Sequence, residues 1–587
     1  MPSRSTAATV AIALAVAAAL VLAPAVGAAP RVGERAAIAA FLGEGKVADW
    51  LERYPERGRV SDADFNEKQG AWRVHVWWGE AGEIATGTVS ADGRVLEAWT
   101  GPQVAWTMAR GYRGWFAGKT VTSLPVWLGF CLVFLLGLAD LRRPLSLRNL
   151  DLLVLLSFSV SLWFFNRGDV FTAMPLVYPA LAYLLGRMVL AAARERRPAS
   201  RPVWPVWVLA AATVFLMGFR IGLNVEASSV IDVGYSGVVG ADRIAHGRAP
   251  YGNFPVEDGL KPCGPANTEG EIRERIQTNG RCESANERGD TYGPVVYFAY
   301  LPAYWLFGWS GKWDTLPVAH ATSILFDVLC LIGLALVGRR YGGTRLATTL
   351  TFAWAAYPFT EYLLNSNSND AIAPALLIWG FWLAGSPWAR GALGALAGWT
   401  KFFSLALVPL WLSYPRRTLR SQAAFLGAFT LATLAVFSVL LLEPNPLHAA
   451  RLFWDRTLAW QLDRPSPFSL WSWGQYHAAD IPDLHLARRA LQGLLILGAL
   501  GAYFVPRRKS PLQLAALTAA IIIGVELVLT HWFYLYIPWF FPFVALTVLV
   551  SRPARRRQAV PPARPEIETP LPIAPAAKHM AAAPKRG

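Results

Sequence analysis

Charged residues are scarce in this chain of 587 residues. Asp, Glu, Lys and Arg make up 16% of it, whereas soluble domains typically carry roughly 25%. Hydrophobic residues make up 54%, and they gather into about a dozen apolar runs that approach the ~20 residues needed to span a bilayer. The composition therefore excludes a soluble enzyme and predicts a multi-pass α-helical membrane protein.

Acidic residues are outnumbered, with 39 Asp and Glu against 55 Lys and Arg. In a soluble protein this excess would suggest a nucleic-acid partner. Here the arginines cluster in short links between apolar runs, which is the positive-inside pattern of membrane proteins, so we predict no nucleic-acid partner. By this rule the links at 142–148, 194–197 and 552–557 are cytoplasmic, while residues 223–316 and 443–486 face the exterior.

The alternation of these links predicts about 11 full crossings of the cytoplasmic membrane. Two apolar segments, 295–309 and 391–412, break the alternation and are predicted to be re-entrant or juxtamembrane segments, which need protein or a cavity beside them. Residues 1–29 have the charge, apolar run and small residues of a signal peptide or an uncleaved anchor. The basic, Pro- and Ala-rich residues 551–587 predict a disordered cytoplasmic tail.

Cysteines are few as well, and only four occur. Cys131 and Cys330 lie in apolar runs, where a thiol behaves as an inert core residue. Cys263 and Cys282 share the long outer loop, on the oxidising side, and we predict a disulfide between them. No ligand set with zinc spacing accompanies these cysteines, so no metal site is predicted.

Residues 30–119 are predicted to form a small extracytoplasmic α+β domain. Residues 34–54 have the apolar spacing of a helix, residues 72–78 alternate like a half-buried strand, and residues 84–99 predict a hairpin. We predict that Asp62-Ala63-Asp64 lies in a polar turn and is not the metal-binding motif of a nucleotide-sugar enzyme. The hairpin resembles that of the PepSY-like domains of bacterial envelope proteins, and this resemblance implies binding or regulation.

Polar residues in or beside apolar runs are expensive to bury and therefore mark candidate sites. Asp232 follows the apolar run 206–222 directly. It is either a catalytic base or the N-cap of a helix over 235–246. His320 and Asp327 lie on one face of a predicted helix, where they either line a cavity or tie helices together by hydrogen bonds.

Further candidates lie nearer the C-terminus. Asn369 and Asp370 either cap the following helix or bind sugar and acceptor hydroxyls. Lys401 interrupts a predicted re-entrant segment, and it either snorkels to the interface or meets a buried partner or a phosphate. Arg456 lies among tryptophans in the second outer loop, a combination that suits the membrane interface or a phosphosugar. His531 opens the last helix at the outer face.

This constellation resembles the GT-C superfamily of integral membrane glycosyltransferases, and within it the bacterial mannosyltransferase-type branch, family 87. The residues that match lie within 206–550 and are Asp232 with Tyr235, His246-Gly247-Arg248-Ala249-Pro250-Tyr251, Tyr292-Gly293-Pro294, residues 367–370, Lys401 and His531. The chain departs from the simplest family plan in two ways. Its candidate loop follows the fourth membrane run, and a soluble domain precedes the membrane region. Residues 120–205 are therefore assigned to accessory transmembrane helices.

The resemblance implies a multi-pass GT-C-like fold and an inverting sugar transfer on the outer face. The donor would be a polyprenyl-phosphate sugar, mannose being the sugar expected, and the acceptor an envelope glycolipid or glycan; membrane lipid is a further partner. Asp232 is expected to be the general base, with no cofactor. The residues expected to bind donor phosphate or sugar are Tyr235, Arg248, Tyr251, Lys401, Arg456 and His531. The residues expected at the acceptor or in a polar cavity are Asn369, Asp370, His320 and Asp327.

Two other functions compete with a transferase. A transporter or lipid flippase would show inverted repeats with interrupted helices, and the sequence has no internal repeat. An envelope sensor or assembly factor would use the front domain as its working part. A transferase with a nucleotide-sugar donor is disfavoured, because no G-x-G-x-x-G motif follows a predicted strand.

Overall fold

The structure is a computed structural model, and it describes residues 30–67, 69–111, 116–194, 204–252, 254, 274–276, 282–284, 289–464 and 466–550. The predicted signal peptide or anchor at 1–29 and the predicted tail at 551–587 lie outside these residues. Cys263 also lies outside them, as does the side chain of Cys282, so the disulfide stays a prediction.

The front domain consists of two helices packed on a four-stranded antiparallel sheet. Its elements are α1 (Glu34–Leu42), α2 (Gly45–Leu51), β1 (Arg59–Asn66), β2 (Ala71–Trp78), β3 (Gly82–Ser90) and β4 (Val95–Thr100). The strands pair in the order β1-β2-β3-β4. The alternation of β2 places Val74 and Val76 on the face that α1 covers, and both are fully buried together with Phe41.

Two predictions for this domain are wrong in detail. The helix predicted over 34–54 is two helices, because the chain turns at Gly43 and becomes extended at Glu44. Asp62 and Asp64 lie in β1 and not in a turn, with Asp62 opposite His75 of β2. Both aspartates are exposed while Ala63 between them is buried. This alternation is hard to see in the sequence because the one buried residue of β1 is the small Ala63, whereas the apolar Val60 is exposed.

Beyond the front domain, the residues that the structure describes are mostly helical. The first half of this region contains α3 (Pro102–Ala105), α4 (Gly118–Val121), α5 (Leu124–Leu138), α6 (Leu147–Phe165), α7 (Val170–Ala173), α8 (Val177–Arg194), α9 (Val206–Ala227), α10 (Asp232–Ala245), the short strands β5 (Glu274–Ile276) and β6 (Cys282–Ser284), and α11 (Pro294–Phe307). The second half contains α12 (Pro317–Ala356), α13 (Pro358–Ser366), α14 (Ile372–Trp382), α15 (Pro387–Gly398), α16 (Val408–Leu412), α17 (Leu419–Phe437), α18 (Pro446–Trp454), α19 (Trp460–Asp463), α20 (His485–Phe504), α21 (Pro511–Val528) and α22 (Ile537–Leu549).

Six helices among the described residues are long and apolar enough to cross a membrane, judged by length and composition. They are Leu147–Phe165, Val170–Arg194, Val206–Ala227, Pro317–Ala356, Leu419–Leu442 and Pro511–Val528. Helix α12 contains a non-helical residue at Gly343, so its 40 residues are two segments joined at a kink. The chain is thus a largely helical membrane protein, while the number of crossings and the orientation stay predictions.

The two segments predicted to be re-entrant are short or broken. Helix α11 has 14 residues, and at about 1.5 Å per residue it is shorter than the ~30 Å of a bilayer core. The segment 391–412 is interrupted after α15. The chain leaves the helix at Trp399, passes through Lys401 in an extended conformation and enters a 3-10 turn at Phe402–Leu407. This break places Lys401 in the protein interior.

A buried arginine ties three helices of the membrane region together. Arg220 of α9 is fully buried, with Nη2 2.6 Å from Asp327 Oδ1 of α12 and Nε 3.1 Å from Glu361 Oε2 of α13. Nη1 also donates to the carbonyl of Trp354 at 2.9 Å. One cation therefore serves two carboxylates, which is the pairing that buried charges require. Asp327 thus has a structural role in linking helices.

Candidate active site

A cavity of about 380 Å³ lies among the helices, with Met108 and Phe116 of the segment between β4 and α5 in its lining. Its polar lining residues are Asp232, Thr291, Tyr292, Asp370, Thr400, Lys401, Gln461, Arg464, His531 and Tyr536. Its remaining walls are mostly apolar and include Phe402, Phe403, Leu458, Leu462, Val525, Leu529, Leu535 and Trp539. A cavity with a charged cluster and apolar walls suits an amphiphile that has an anionic head group.

Asp232 is held at the cavity by a polar clamp between the α9–α10 connection and the turn at 365–370. Asn367 has a left-handed backbone, and its Nδ2 donates to Ser228 Oγ and to the Ser229 carbonyl, both at 2.8 Å. The backbone N–H of Ile231 donates to the Ser366 carbonyl at 3.2 Å. The asparagine-rich turn therefore fixes the chain immediately before Asp232.

Asp232 is the first residue of α10, and Ile231 is the N-cap. The helix predicted over 235–246 thus begins three residues early, and the N-cap alternative for Asp232 is wrong. Its Oδ1 accepts from the Val233 N–H at 2.8 Å, and the side chain is half-buried at the cavity. A helix N-terminus favours a negative charge, so a carboxylate is well placed at this position.

Asp370 and Lys401 form a buried ion pair in the same cavity, with Nζ 3.0 Å from Oδ1. Lys401 Nζ also lies 3.8 Å from the centroid of the Tyr292 ring. Neither Asn369 nor Asp370 caps the turn that follows, because the Ser368 hydroxyl accepts from the Asp370 N–H. Lys401 has a carboxylate partner and a ring beside it, so it does not snorkel.

Burial lowers the pKa of Lys401, and the carboxylates of Asp370 and Asp232 oppose this shift. Asp370 has the larger opposing effect, and its Oδ1 lies only 3.0 Å from the ammonium. The two acids and the lysine are therefore one electrostatic unit. Removal of Asp370, the nearer carboxylate, would make the ammonium harder to retain.

Arg464 and His531 line another part of the cavity. Arg464 Cζ lies 5.6 Å from the centroid of the Trp106 ring, its Nε makes no hydrogen bond, and no carboxylate pairs with it among the side chains that the structure describes. His531 Nδ1 lies 2.8 Å from Ser466 Oγ. Burial, helped by Arg464 and Lys401, holds the pKa of His531 well below its usual range, so the imidazole is neutral near pH 7.

The structure separates the residues predicted to bind donor phosphate or sugar. Lys401 and His531 line the cavity, but the other four do not. Arg456 Nη2 pairs with Asp290 at 2.7 Å, and Arg248 is exposed. The Tyr235 ring stacks on Trp313 with centroids 4.5 Å apart, and Tyr251 donates from its hydroxyl to the Tyr292 carbonyl. Of these four residues, Tyr251 alone is shown in contact with a lining residue, Tyr292.

The predicted acceptor or polar-cavity residues are divided in the same way. Asp370 lines the cavity, whereas His320, Asp327 and Asn369 do not. His320 Nδ1 lies 3.0 Å from Asn224 Oδ1 of α9. The polar face of α12 therefore links helices by hydrogen bonds, which is one of the two alternatives predicted for it. Asn369 Nδ2 donates to the Val233 carbonyl at 3.3 Å and braces the residue after Asp232.

Six polar lining residues were not predicted as site residues, namely Thr291, Tyr292, Thr400, Gln461, Arg464 and Tyr536. Arg456 and Arg464 lie in the same tryptophan-rich loop, and nothing local distinguishes them. Arg456 is neutralised by Asp290, which is 166 residues away in sequence. Arg464 pairs with no carboxylate among the described side chains, and it lines the cavity. A tertiary contact therefore decides which arginine is available to a ligand.

No group of three or more His, Cys, Asp or Glu side chains is placed to hold a metal ion in the part of the chain that the structure describes. The cavity residues instead combine two carboxylates, two cations and a neutral imidazole. Such a set can accept a proton at one point and stabilise an anion at another.

Gly293 sets the distance between Tyr292 and Lys401. A Cβ atom at this position would lie 1.8 Å from the Trp399 carbonyl oxygen, so Gly293→Ala must push the two segments apart. We expect a loss of about 1–3 kcal/mol in the free energy of unfolding, as for other overpacked sites, measured by denaturation in detergent. Gly186→Ala is the matched control, because a Cβ there meets nothing within 4 Å. Equal stability of the two variants would contradict this packing.

No protein-family model and no curated protein matches the sequence. Among solved structures, the chain is similar to ArnT from Cupriavidus metallidurans, crystallised with undecaprenyl phosphate, at 16% sequence identity and a TM-score of 0.31. The match covers 58% of this chain and 59% of that one, so it spans less than two thirds of either. A match at this TM-score does not establish a shared fold.

Proposed function

We propose that the protein is a membrane glycosyltransferase of the GT-C type that takes a sugar from a polyprenyl-phosphate donor, with Asp232 as the general base. The observation that carries this proposal is the composition of one cavity. It holds a carboxylate at a helix N-terminus, two cations and a mainly apolar wall. These are the three parts that the transfer needs: a base, a stabiliser for the departing phosphate, and a surface for the lipid.

In the proposed reaction the acceptor hydroxyl gives its proton to a carboxylate oxygen of Asp232. The acceptor oxygen then attacks the anomeric carbon of the sugar, and the bond from that carbon to the phosphate oxygen breaks. The electron pair leaves with the lipid phosphate, which gains a negative charge. Lys401 and Arg464 are the cations that stabilise this charge, and attack opposite the leaving group inverts the anomeric centre.

Asp370 has a supporting part in this proposal. Its contact with Lys401 keeps a buried ammonium charged and in position. When the donor phosphate binds, Lys401 gains a second anionic partner without leaving the first. His531 is neutral near pH 7, so it acts as a hydrogen-bonding group and not as a third cation.

The sugar and the acceptor are assigned by resemblance to the family 87 branch. We take mannose as the sugar and an envelope glycolipid or glycan as the acceptor. The reaction is placed on the outer face of the cytoplasmic membrane. This side follows from the positive-inside pattern of the arginine links.

The test is a transfer assay in membranes that contain the full chain. Polyprenyl-phosphate mannose and a nucleotide-linked mannose are supplied separately, with endogenous envelope lipids as acceptors. We expect a mannosylated product from the lipid donor alone. A product from the nucleotide donor alone would overturn the proposal. Tight binding of the lipid donor without any transfer would favour the transporter or flippase alternative.

A further inference from the structure

The front domain is docked firmly against the outer loops of the membrane region. Tyr54 donates from its hydroxyl to the Tyr476 carbonyl at 2.7 Å, and the Ala479 N–H donates to the Arg53 carbonyl at 2.9 Å. Trp50 stacks on Phe171 with centroids 5.6 Å apart. These contacts come from both helices and loops, so the domain has a fixed place beside the cavity.

The segment that leaves the front domain continues into the cavity wall. Gln103 Nε2 donates to the Gly168 carbonyl at 3.0 Å. Gly111, which has a positive φ, approaches the same loop so closely that a Cβ would lie 2.2 Å from Gly168 N. Pinned in this way, the segment places Met108 and Phe116 in the lining of the cavity.

Trp106 of this segment lies beside Arg464 and His531 of the cavity. Its ring is 5.6 Å from Arg464 Cζ and 6.1 Å from the centroid of the His531 ring. Phe468 packs against the ring edge-on at 5.4 Å, which fixes its plane. An arginine over an indole face is held by the ring quadrupole while its N–H groups stay available to an anion.

We infer that the front domain contributes to the donor site through the segment that leaves it, with Trp106 as a positioning residue that holds Arg464 for the phosphate of the lipid donor. This inference rests on the proposed function for the identity of the ligand. It assigns the front domain a role in binding donor, beyond the general binding or regulatory role that its sequence suggests. The shared chemistry is a phosphate monoester or diester anion, either on a lipid or free in solution.

The inference is tested by the affinity of the purified full chain for undecaprenyl phosphate in detergent micelles, with inorganic phosphate as a second probe. Trp106→Ala is expected to weaken binding of the lipid phosphate about tenfold, within the range for a desolvated cation–π contact. Trp106→Phe keeps an aromatic face and should restore most of this affinity. Binding of inorganic phosphate at Arg464 without binding of the lipid would overturn the assignment to the donor.

A double-mutant cycle separates positioning from folding. If Trp106 acts through Arg464, the variant with both Trp106→Ala and Arg464→Ala should bind no more weakly than Arg464→Ala alone, within about twofold. Additive losses would mean that Trp106 acts elsewhere, and would overturn the inference. Trp163→Ala is the matched control. Trp163 carries Arg167 at 3.3 Å from its ring centroid, but Arg167, unlike Arg464, does not line the cavity, so affinity should be unchanged.

Transfer kinetics keep this inference distinct from the proposed function. Trp106→Ala should raise the KM for the lipid donor about tenfold and leave kcat within about twofold, because it affects binding and not the base. A wild-type KM in this variant would overturn the inference and leave the transferase intact. If the wild type transfers no sugar but binds the lipid phosphate in a way that depends on Trp106, the proposed transferase function would be overturned. The inference of a phosphate site that involves Trp106 would stand.

Discussion

Asp232→Asn is expected to lower kcat for transfer by about 10²–10⁴-fold, the usual contribution of a well-placed general base. The amide has nearly the same shape as the carboxylate and can still accept from the Val233 N–H. The amide cannot take up the proton of the acceptor hydroxyl. Donor affinity should therefore change little, and the loss should appear in kcat. The measurement is steady-state transfer by purified protein at saturating lipid donor.

Asp169→Asn is the matched control for this substitution. Asp169 also lies at a helix start, where its Oδ1 accepts from the Thr172 N–H at 3.0 Å, but it is exposed and away from the cavity. Asparagine is as good an N-cap as aspartate, so turnover should be unchanged. Near-normal turnover by Asp232→Asn would place the base elsewhere, and Asp370 is the other carboxylate in the cavity.

Lys401→Met is expected to abolish measurable transfer and to destabilise the fold. The change leaves the Asp370 carboxylate buried without its cation, and breaking a buried pair in this way costs about 3–5 kcal/mol. It also removes a cation from the departing phosphate. Thermal unfolding in detergent and donor turnover are measured on the same preparation, so that loss of folded protein is not mistaken for loss of chemistry.

The double variant with Lys401→Met and Asp370→Asn separates these two effects. Because neither position 401 nor position 370 is charged in this variant, most of the lost stability should return. Transfer should not return. Lys312→Met is a control at an exposed lysine, and its effect on stability should be within about 0.5 kcal/mol. Recovery of transfer by the double variant would mean that Lys401 only neutralises Asp370 and does not contact the phosphate.

The parts of the site that could be predicted from sequence are charged residues in apolar surroundings. Asp232, Asp370, Lys401 and His531 each interrupt or flank an apolar run, and the structure brings all four to one cavity. The cost of burying a charge is a local property of the sequence. It singles out such residues before any tertiary contact is known.

The parts that could not be predicted depend on distant partners. Arg456 and Arg464 look alike in the sequence, and only Asp290 distinguishes them. Arg220 lies in a run that the sequence analysis treated as apolar. Its role could not be predicted, because its two carboxylate partners are more than a hundred residues further along the chain. The contribution of Met108 and Phe116 to the cavity depends on how the front domain docks. Hydrophobic periodicity carries no information about any of these contacts.

The most direct test of the account is an electron cryo-microscopy structure of the full chain with undecaprenyl phosphate bound. We predict that the phosphate lies within about 4 Å of Lys401 Nζ and the Arg464 guanidinium, the usual limit for an ion pair. The lipid chain should lie along the apolar wall of the cavity. The Asp232 carboxylate should point into the cavity, towards the phosphate. A phosphate bound outside this cavity, or a phosphate with Asp232 turned away from it, would contradict the account.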